Sequence, residues 1–390
     1  MNRKIKTLLV GLGSEIGSTL ISMTSLKKDI IEITGVITNE IFKNDSKKNF
    51  ESLIARIVLN EPEMINRVSY SEKDSLLIIN KNKIRVFWGD VKKIDLNKIK
   101  KKFDTTIIAT SKDHINNKNF MKKFLKVSKF VFGVAESTNV PSIYPNLIST
   151  QSKFFEKKPK NIFEIKDKVF ALGSCQTNGW QSQLRLIAEI FGKIKLNNLK
   201  MLGCELDIVH PDTPQGKLGT KSINPRDQDA RNNLRPGFSQ VEKSMKKIFK
   251  SAHVKNTISL RTLTSPPGYQ ISRFYITYSA KDKKDISKNY FKKKIIEFCK
   301  KNRFIIQYTE GTLGSRAFEK LETSAVLLLN EKFFHINNNF LKINDKDNQL
   351  LQIVFQSYVH NTRGYCRSVI EAIKEILNRY NKKRNISCWY

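Results

Sequence analysis

The chain has 390 residues, 39% of them hydrophobic with 24 Phe and 11 Tyr, which is enough apolar material to build the cores of two to three domains. Its formal charge is +34, but the lysines are spread along the whole chain, as in KKKF, FKKK and NKKR, beside abundant Asn and Ile. That pattern reads as compositional drift onto solvated faces and argues against a nucleic-acid partner; no stretch approaches the ~18 apolar residues of a membrane span.

The start, MNRKIKTLLVGLG, mimics a leader peptide, but its apolar run TLLV is cut short by Gly11, Gly13 and then Glu15, so a first strand entering a turn fits better. Residues 1 to about 170 alternate short apolar strands with polar helical stretches, the rhythm of βαβ units around a parallel sheet. KTLLVGLG is strand then turn, IGSTLISMTSL a helix, IIEITGVIT a second strand and FESLIARIVL a second helix. LLIINKNKIRVFWG reads as a hairpin turning at Asn80-Lys81-Asn82, and DTTIIAT and KFVFGVA as buried strands. From Val169 the texture changes. VFALGSCQTN is a strand running into a turn, GWQSQLRLIAEIFG an amphipathic helix, and LKMLGCELDIV, TISLRTLTS, ISRFYITYSA, SAVLLLN and LQIVFQSYVH are longer strands of a mainly antiparallel sheet with helices on one face. GYCRSVIEAIKEILNRY closes the chain as a helix with one apolar stripe.

Gly11, Gly13 and Gly17 stand between a strand and a helix, where glycines let backbone N–H groups approach the pyrophosphate of a dinucleotide; Ser14, Glu15 and Ile16 complete the turn. The spacing is GxGxxxG, one residue longer than the usual fingerprint. At the end of the second strand come Asn39 and Glu40, 23 residues past Gly17, where a carboxylate accepts hydrogen bonds from the ribose hydroxyls of NAD and repels the extra phosphate of NADP. The cofactor expected is therefore NAD.

Gly173-Ser174-Cys175-Gln176-Thr177-Asn178 sets a cysteine at a strand-to-helix junction, where a helix N-terminus favours the thiolate. The four other cysteines are scattered and none forms a CxxC pair, which argues against a disulfide framework or structural zinc and suits a reducing, cytoplasmic setting. No cluster has metal-ligand spacing, so no metal is expected. His114, His253 and His335 have no partner spacing and read as structural or surface residues.

Ser-Cys-x-Thr-Asn resembles the active-site signature of glyceraldehyde-3-phosphate dehydrogenases. The resemblance extends over nearly the whole chain. Val209-His210 is similar to the strand end that carries the family's general base. RDQDARNNLRPG (Arg226 to Gly237) is similar to its Arg-Asp-x-x-Arg…Asn-x-x-Pro segment, and Arg261 falls where it has a phosphate-binding arginine. Asn361-Thr362-Arg363-Gly364-Tyr365 resembles its Asn-Glu-x-Gly-Tyr segment, whose Asn contacts the nicotinamide amide. What this implies is an α/β protein: a Rossmann-type parallel-sheet NAD domain (residues 1–174 and 360–390) and an α+β catalytic domain with a mainly antiparallel sheet (175–359). Cys175 would be the acylating nucleophile and His210 its base. Ser174, Thr177, Thr213, Arg235 and Arg261 would hold a small anionic aldehyde, with inorganic phosphate or water resolving a thioester, in a homotetramer.

This chain departs from the family at Gln176, at Thr362, in the 35 residues from Cys175 to His210, and in Pro-Asp-Thr-Pro-Gln after His210, where the family has a Thr-rich run. These changes leave open another sugar or small aldehyde, and reductive use of an acyl phosphate as in semialdehyde dehydrogenases. From other classes, a non-enzymatic nucleotide- or RNA-binding descendant and a structural oligomer stay as alternatives.

Overall fold

A computed structural model describes residues 3–26, 29–100, 102–150, 155, 158–194, 196–211, 234–249, 254–262, 264–279, 281, 286–338 and 347–390. The chain forms two compact units. Met1–Ser149, Pro159–Ser174 and Val369–Tyr390 make the first, and Thr150–Lys158 and Cys175–Ser368 the second. The passage back to the first unit falls at Val369, where the sequence reading put it at residue 360.

The first unit is built on β1 (Ile5–Val10), α1 (Glu15–Leu26), β2 (Ile31–Thr38), α2 (Ser46–Asn60), β3 (Val68–Ser71), β4 (Leu76–Ile79), β5 (Asn82–Trp88), β6 (Phe103–Ile108), α3 (Lys112–Asn116), α4 (Lys118–Lys123), β7 (Ser128–Gly133), β8 (Lys160–Asn161) and β9 (Val169–Ala171). Leu8, Leu9 and Val10 are wholly buried, as a strand covered on both faces requires, and this is why β1 reads as an unbroken apolar run. The sheet order is β3-β4-β5-β2-β1-β6-β7-β9. From β5 to β9 every neighbouring pair is parallel, and only β3 and β4 are antiparallel additions. The chain winds outward from β1 through β2 to β5, then restarts at β6 and winds the other way. The direction reverses between β1 and β6, and ligands of such sheets sit in the crevice beyond the carboxyl ends at that point. The hairpin turns on two residues, Asn80 and Lys81, both at positive φ, so Asn82 already belongs to β5.

The second unit begins with α5 (Cys175–Lys193) and continues through β10 (Lys200–Pro211), β11 (Arg235–Gly237), α6 (Val241–Ile248), β12 (Val254–Thr262), β13 (Gly268–Ser279), α7 (Lys288–Lys301), β14 (Ile306–Thr309), β15 (Ala325–Leu328), β16 (Phe334–Asn338) and β17 (Asn348–Val359) into α8 (Arg363–Asn381). Its sheet runs β11-β12-β10-β13-β17-β15-β14, with β16 also on β17. The sheet is mixed: β10 pairs with β12 and β14 with β15 in parallel, the other pairs antiparallel. Along β13 the residues alternate between buried and half-exposed, so one face of the sheet is the core face. A last short strand, β18 (Ser387–Cys388), pairs with β8 in the first unit. No described helix is long and apolar enough to cross a membrane.

Candidate functional site

In the first unit the glycine turn leaves the end of β1 beside the end of β6. Gly11 has a φ of +93°, and its N–H donates to Ile37 O at 2.9 Å. A Cβ on Gly17 would lie 2.3 Å from Gly11 O, so the turn closes only because nothing is there. The Ser14 hydroxyl sits inside the loop, 2.9 Å from Gly11 O and 2.7 Å from Ala109 O, and accepts the Gly17 N–H at 3.0 Å. That internal plug is how the additional residue of GxGxxxG is accommodated.

The backbone N–H groups of Leu12, Gly13 and Glu15 have no hydrogen-bond partner among the described residues. They lie at the N-terminus of α1, where unpaired donors and the helix dipole favour an anion. Arg56 of α2 donates from Nη1 to Gly13 O at 3.0 Å and so brings a guanidinium to the same turn, a residue that sequence spacing gave no reason to choose. Ile16 is half-buried. At the end of β2, Asn39 accepts the Val91 N–H at 3.2 Å while Glu40 is exposed. Ile41 and Phe42 follow it, 51% and 42% exposed, yet their backbone is fixed by the Asn49 amide, which accepts from both N–H groups and donates to Phe42 O.

Burial pushes the Glu15 carboxyl from its ordinary 4.5 up to about 7. A carboxyl raised in the folded state contributes its stability below the unfolded value, and that contribution is lost as pH rises through the folded one. Wild type should therefore lose thermal stability relative to Glu15→Gln between about pH 4.5 and 7. Melting temperatures of the two proteins across that range would decide it, and a constant difference would remove the assignment. His360 acts in the opposite direction, since burial holds it down at about 4, but it is common to both proteins and cancels.

In the second unit Cys175 is the first residue of α5 and is half-exposed, whereas Cys204, Cys299, Cys366 and Cys388 are buried. Burial pushes Cys299 and Cys388 up to about 12 and raises Cys204 as well, leaving those thiols unreactive. His210 lies near the end of β10, directly opposite Arg261 in the parallel ladder with β12, and both side chains are on the core face. The His210 ring has Pro211 O at 2.6 Å and Arg261 Nη1 at 3.0 Å from Nδ1, and the Asn361 amide nitrogen lies 3.0 Å from Nε2 and 3.5 Å from Nδ1. Asn361 Oδ1 in turn accepts from Gln176 Nε2 at 3.3 Å. Four polar side chains from α5, β10, β12 and the loop before α8 thus form one chain that begins next to Cys175.

The register of α5 against β17 holds this arrangement. Gln176 meets Asn361, Gly179 meets Val359, and Gln183 Nε2 donates to Ser357 Oγ at 2.9 Å. Steps of three and four along the helix answer steps of two along the strand, running in opposite directions. Gly179 is required at the middle contact, because a Cβ there would lie 2.5 Å from a Val359 methyl.

Thr177 is buried, its hydroxyl 3.2 Å from Ser244 Oγ on α6. Ser174 is half-buried in the first unit. Arg235 stands opposite Arg261 in the ladder of β11 with β12. Thr213, His253 and most of the Arg226–Gly237 segment lie outside the described residues. His114 bonds Thr110 and stacks on Phe120, and His335 faces Lys332 O. Among the described residues no group of His, Cys, Asp and Glu could hold a metal ion. Compared with models of known protein families and with curated proteins, the chain matches none.

Proposed function

We propose that the chain is an NAD-dependent aldehyde dehydrogenase with chemistry like that of glyceraldehyde-3-phosphate dehydrogenases, and that its first unit is a Rossmann-type NAD domain. The observation that carries the reading is the side-chain chain from Gln176 through Asn361 to His210 and Arg261, which ties the helix bearing the half-exposed thiol to an imidazole and a cation. A covalent aldehyde mechanism needs those three groups together: a nucleophile, a base and an anchor for an anionic substrate. The first unit fits the cofactor through the unpaired N–H groups at the start of α1, the Arg56 guanidinium and the Glu40 carboxylate.

In this mechanism the Cys175 thiolate adds to the aldehyde carbon and gives a thiohemiacetal, whose oxygen is held by N–H groups at the α5 N-terminus. His210 removes the hydroxyl proton as the C–H bond breaks. The nicotinamide of bound NAD supplies the two-electron acceptor. A thioester is left on Cys175; phosphate attacks its carbonyl, an acyl phosphate leaves, and the thiolate is restored. Arg261, buried beside His210, holds the anionic end of the substrate.

The test is absorbance of reduced nicotinamide with purified protein, NAD, inorganic phosphate and glyceraldehyde 3-phosphate, then other phosphorylated or carboxylated aldehydes. Phosphate-dependent reduction is expected, and silence across the whole series would overturn the proposal. Glu40 also sets a preference. NAD should bind about ten- to a hundredfold more tightly than NADP, through repulsion of the second phosphate. Titration of both cofactors checks this, and tighter NADP binding would remove Glu40 from its role.

A further inference from the structure

Glu15, whose own N–H is one of the three unpaired donors at the glycine turn, is the single charged residue of α1. We propose that Glu15 couples cofactor binding to a proton: the turn takes the pyrophosphate with the Glu15 carboxyl neutral, and ionisation of that carboxyl weakens the complex. This rests on the reading of the first unit as an NAD domain.

Covalent length alone brings the two groups together. The carboxyl hangs on the residue whose N–H is offered to the anion, and bond lengths keep it within about 6 Å of that nitrogen in every rotamer. A phosphate oxygen accepting from the same nitrogen would lie about 2.9 Å from it. Carboxyl and phosphate are then no more than about 9 Å apart, about one screening length at physiological salt. Side chains of a helix also lean towards its N-terminus, which carries the carboxyl back over the turn.

Ionised, Glu15 and the doubly charged pyrophosphate would compete for one positive feature, the N-terminal field of α1. Neutral, Glu15 adds no repulsion, and its O–H is a further donor for a phosphate oxygen. At the effective dielectric of a protein, a like charge at this range weakens binding by about tenfold.

The charges that surround the turn do not cancel this one. α2 packs on α1 and brings Arg56 to Gly13 O, and β2, also packed on α1, carries Glu32 and leads to Glu40. Thr110, against the Gly11 position, leads into α3 with Lys112, Asp113 and His114. Burial is the sole cause that pushes the Glu15 carboxyl up to about 7, and none of these charges contributes to it. The free protein thus holds the carboxyl at the edge of ionisation near neutral pH, and a bound pyrophosphate raises its proton affinity further. Cofactor occupancy falls as pH rises past neutrality.

Calorimetric titration of the full-length protein with ADP-ribose reads this end of the site, since that ligand carries the pyrophosphate without the nicotinamide. Titrations at pH 6.5, 7.5 and 8.5, each in two buffers of different ionisation enthalpy, count the protons taken up. Wild type should bind about tenfold more weakly at pH 8.5 than at pH 6.5, and take up about half a proton at pH 7.5. NAD should follow the same profile. Glu15→Gln should bind ADP-ribose within about twofold at all three pH values, with the uptake lost. The wild-type profile is read whether or not the variant folds. Wild-type affinity that stays flat with pH, or uptake that persists in Glu15→Gln, would sink the proton coupling and leave the NAD reading standing. Binding of neither ligand at any pH would bring down the NAD reading and the coupling with it.

Discussion

Cys175→Ser is expected to abolish aldehyde-dependent reduction of NAD, by at least ~10³-fold or about 4 kcal/mol of transition-state stabilisation, while NAD affinity stays within about twofold. A serine hydroxyl is un-ionised near neutrality, and in the proposed mechanism His210 takes a proton from a thiohemiacetal rather than generating an alkoxide. The same variant tests which thiol reacts. Cys175 is half-exposed, and burial holds Cys204, Cys299 and Cys388 in the unreactive thiol form. Iodoacetamide should modify native wild type once, at Cys175, and leave the serine variant untouched. Turnover within about tenfold of wild type in that variant would remove the nucleophile from the mechanism; labelling at another cysteine would show that burial does not protect it.

Gly17→Ala is expected to weaken NAD binding by about ten- to a hundredfold and to leave the alkylation rate of Cys175 unchanged. The added Cβ would lie 2.3 Å from Gly11 O and 3.0 Å from Leu12 Cα, both backbone atoms that no rotamer change can move. Opening the turn to relieve that overlap costs about 1–3 kcal/mol and displaces the N–H groups proposed to hold the pyrophosphate. Calorimetric titration with NAD, beside iodoacetamide kinetics, separates the two effects. Unaltered affinity would show that the cofactor does not use this turn.

How much of this could be read from sequence depended on how local each feature is. The glycine turn and the cysteine at the start of α5 are runs of a few residues, and their chemistry follows from order along the chain. The pairing of Gln176 with Asn361 is of another kind. It depends on the register of α5 against β17, which no spacing within either segment reveals, so Gln176 read only as a departure from the family pattern. Arg56 was invisible for a similar reason, since it reaches the turn from a helix 43 residues away. The lysine-rich drift hid other elements. In α7, KNYFKKKIIEFCKK, the buried residues Phe291, Ile295, Phe298 and Cys299 keep helical spacing, but the surrounding lysines blur the stripe. The parallel pairing of β10 with β12 escaped because its return passes through α6, VEKSMKKI, which carries the same disguise.

The interlock between α5 and β17 also bears on how the protein is made. Its polar contacts join residues 174 and 185 positions apart. At a synthesis rate of about 5–20 residues per second, the helix bearing Cys175 leaves the ribosome roughly ten to forty seconds before its partners. During that interval Gln176 and Gln183 face no strand, and Gly179 marks a notch with nothing to fill it. Cys175 is therefore made early and the chain from Asn361 to His210 is closed late, so an incomplete chain carries this half-exposed cysteine before its helix is tied to the imidazole.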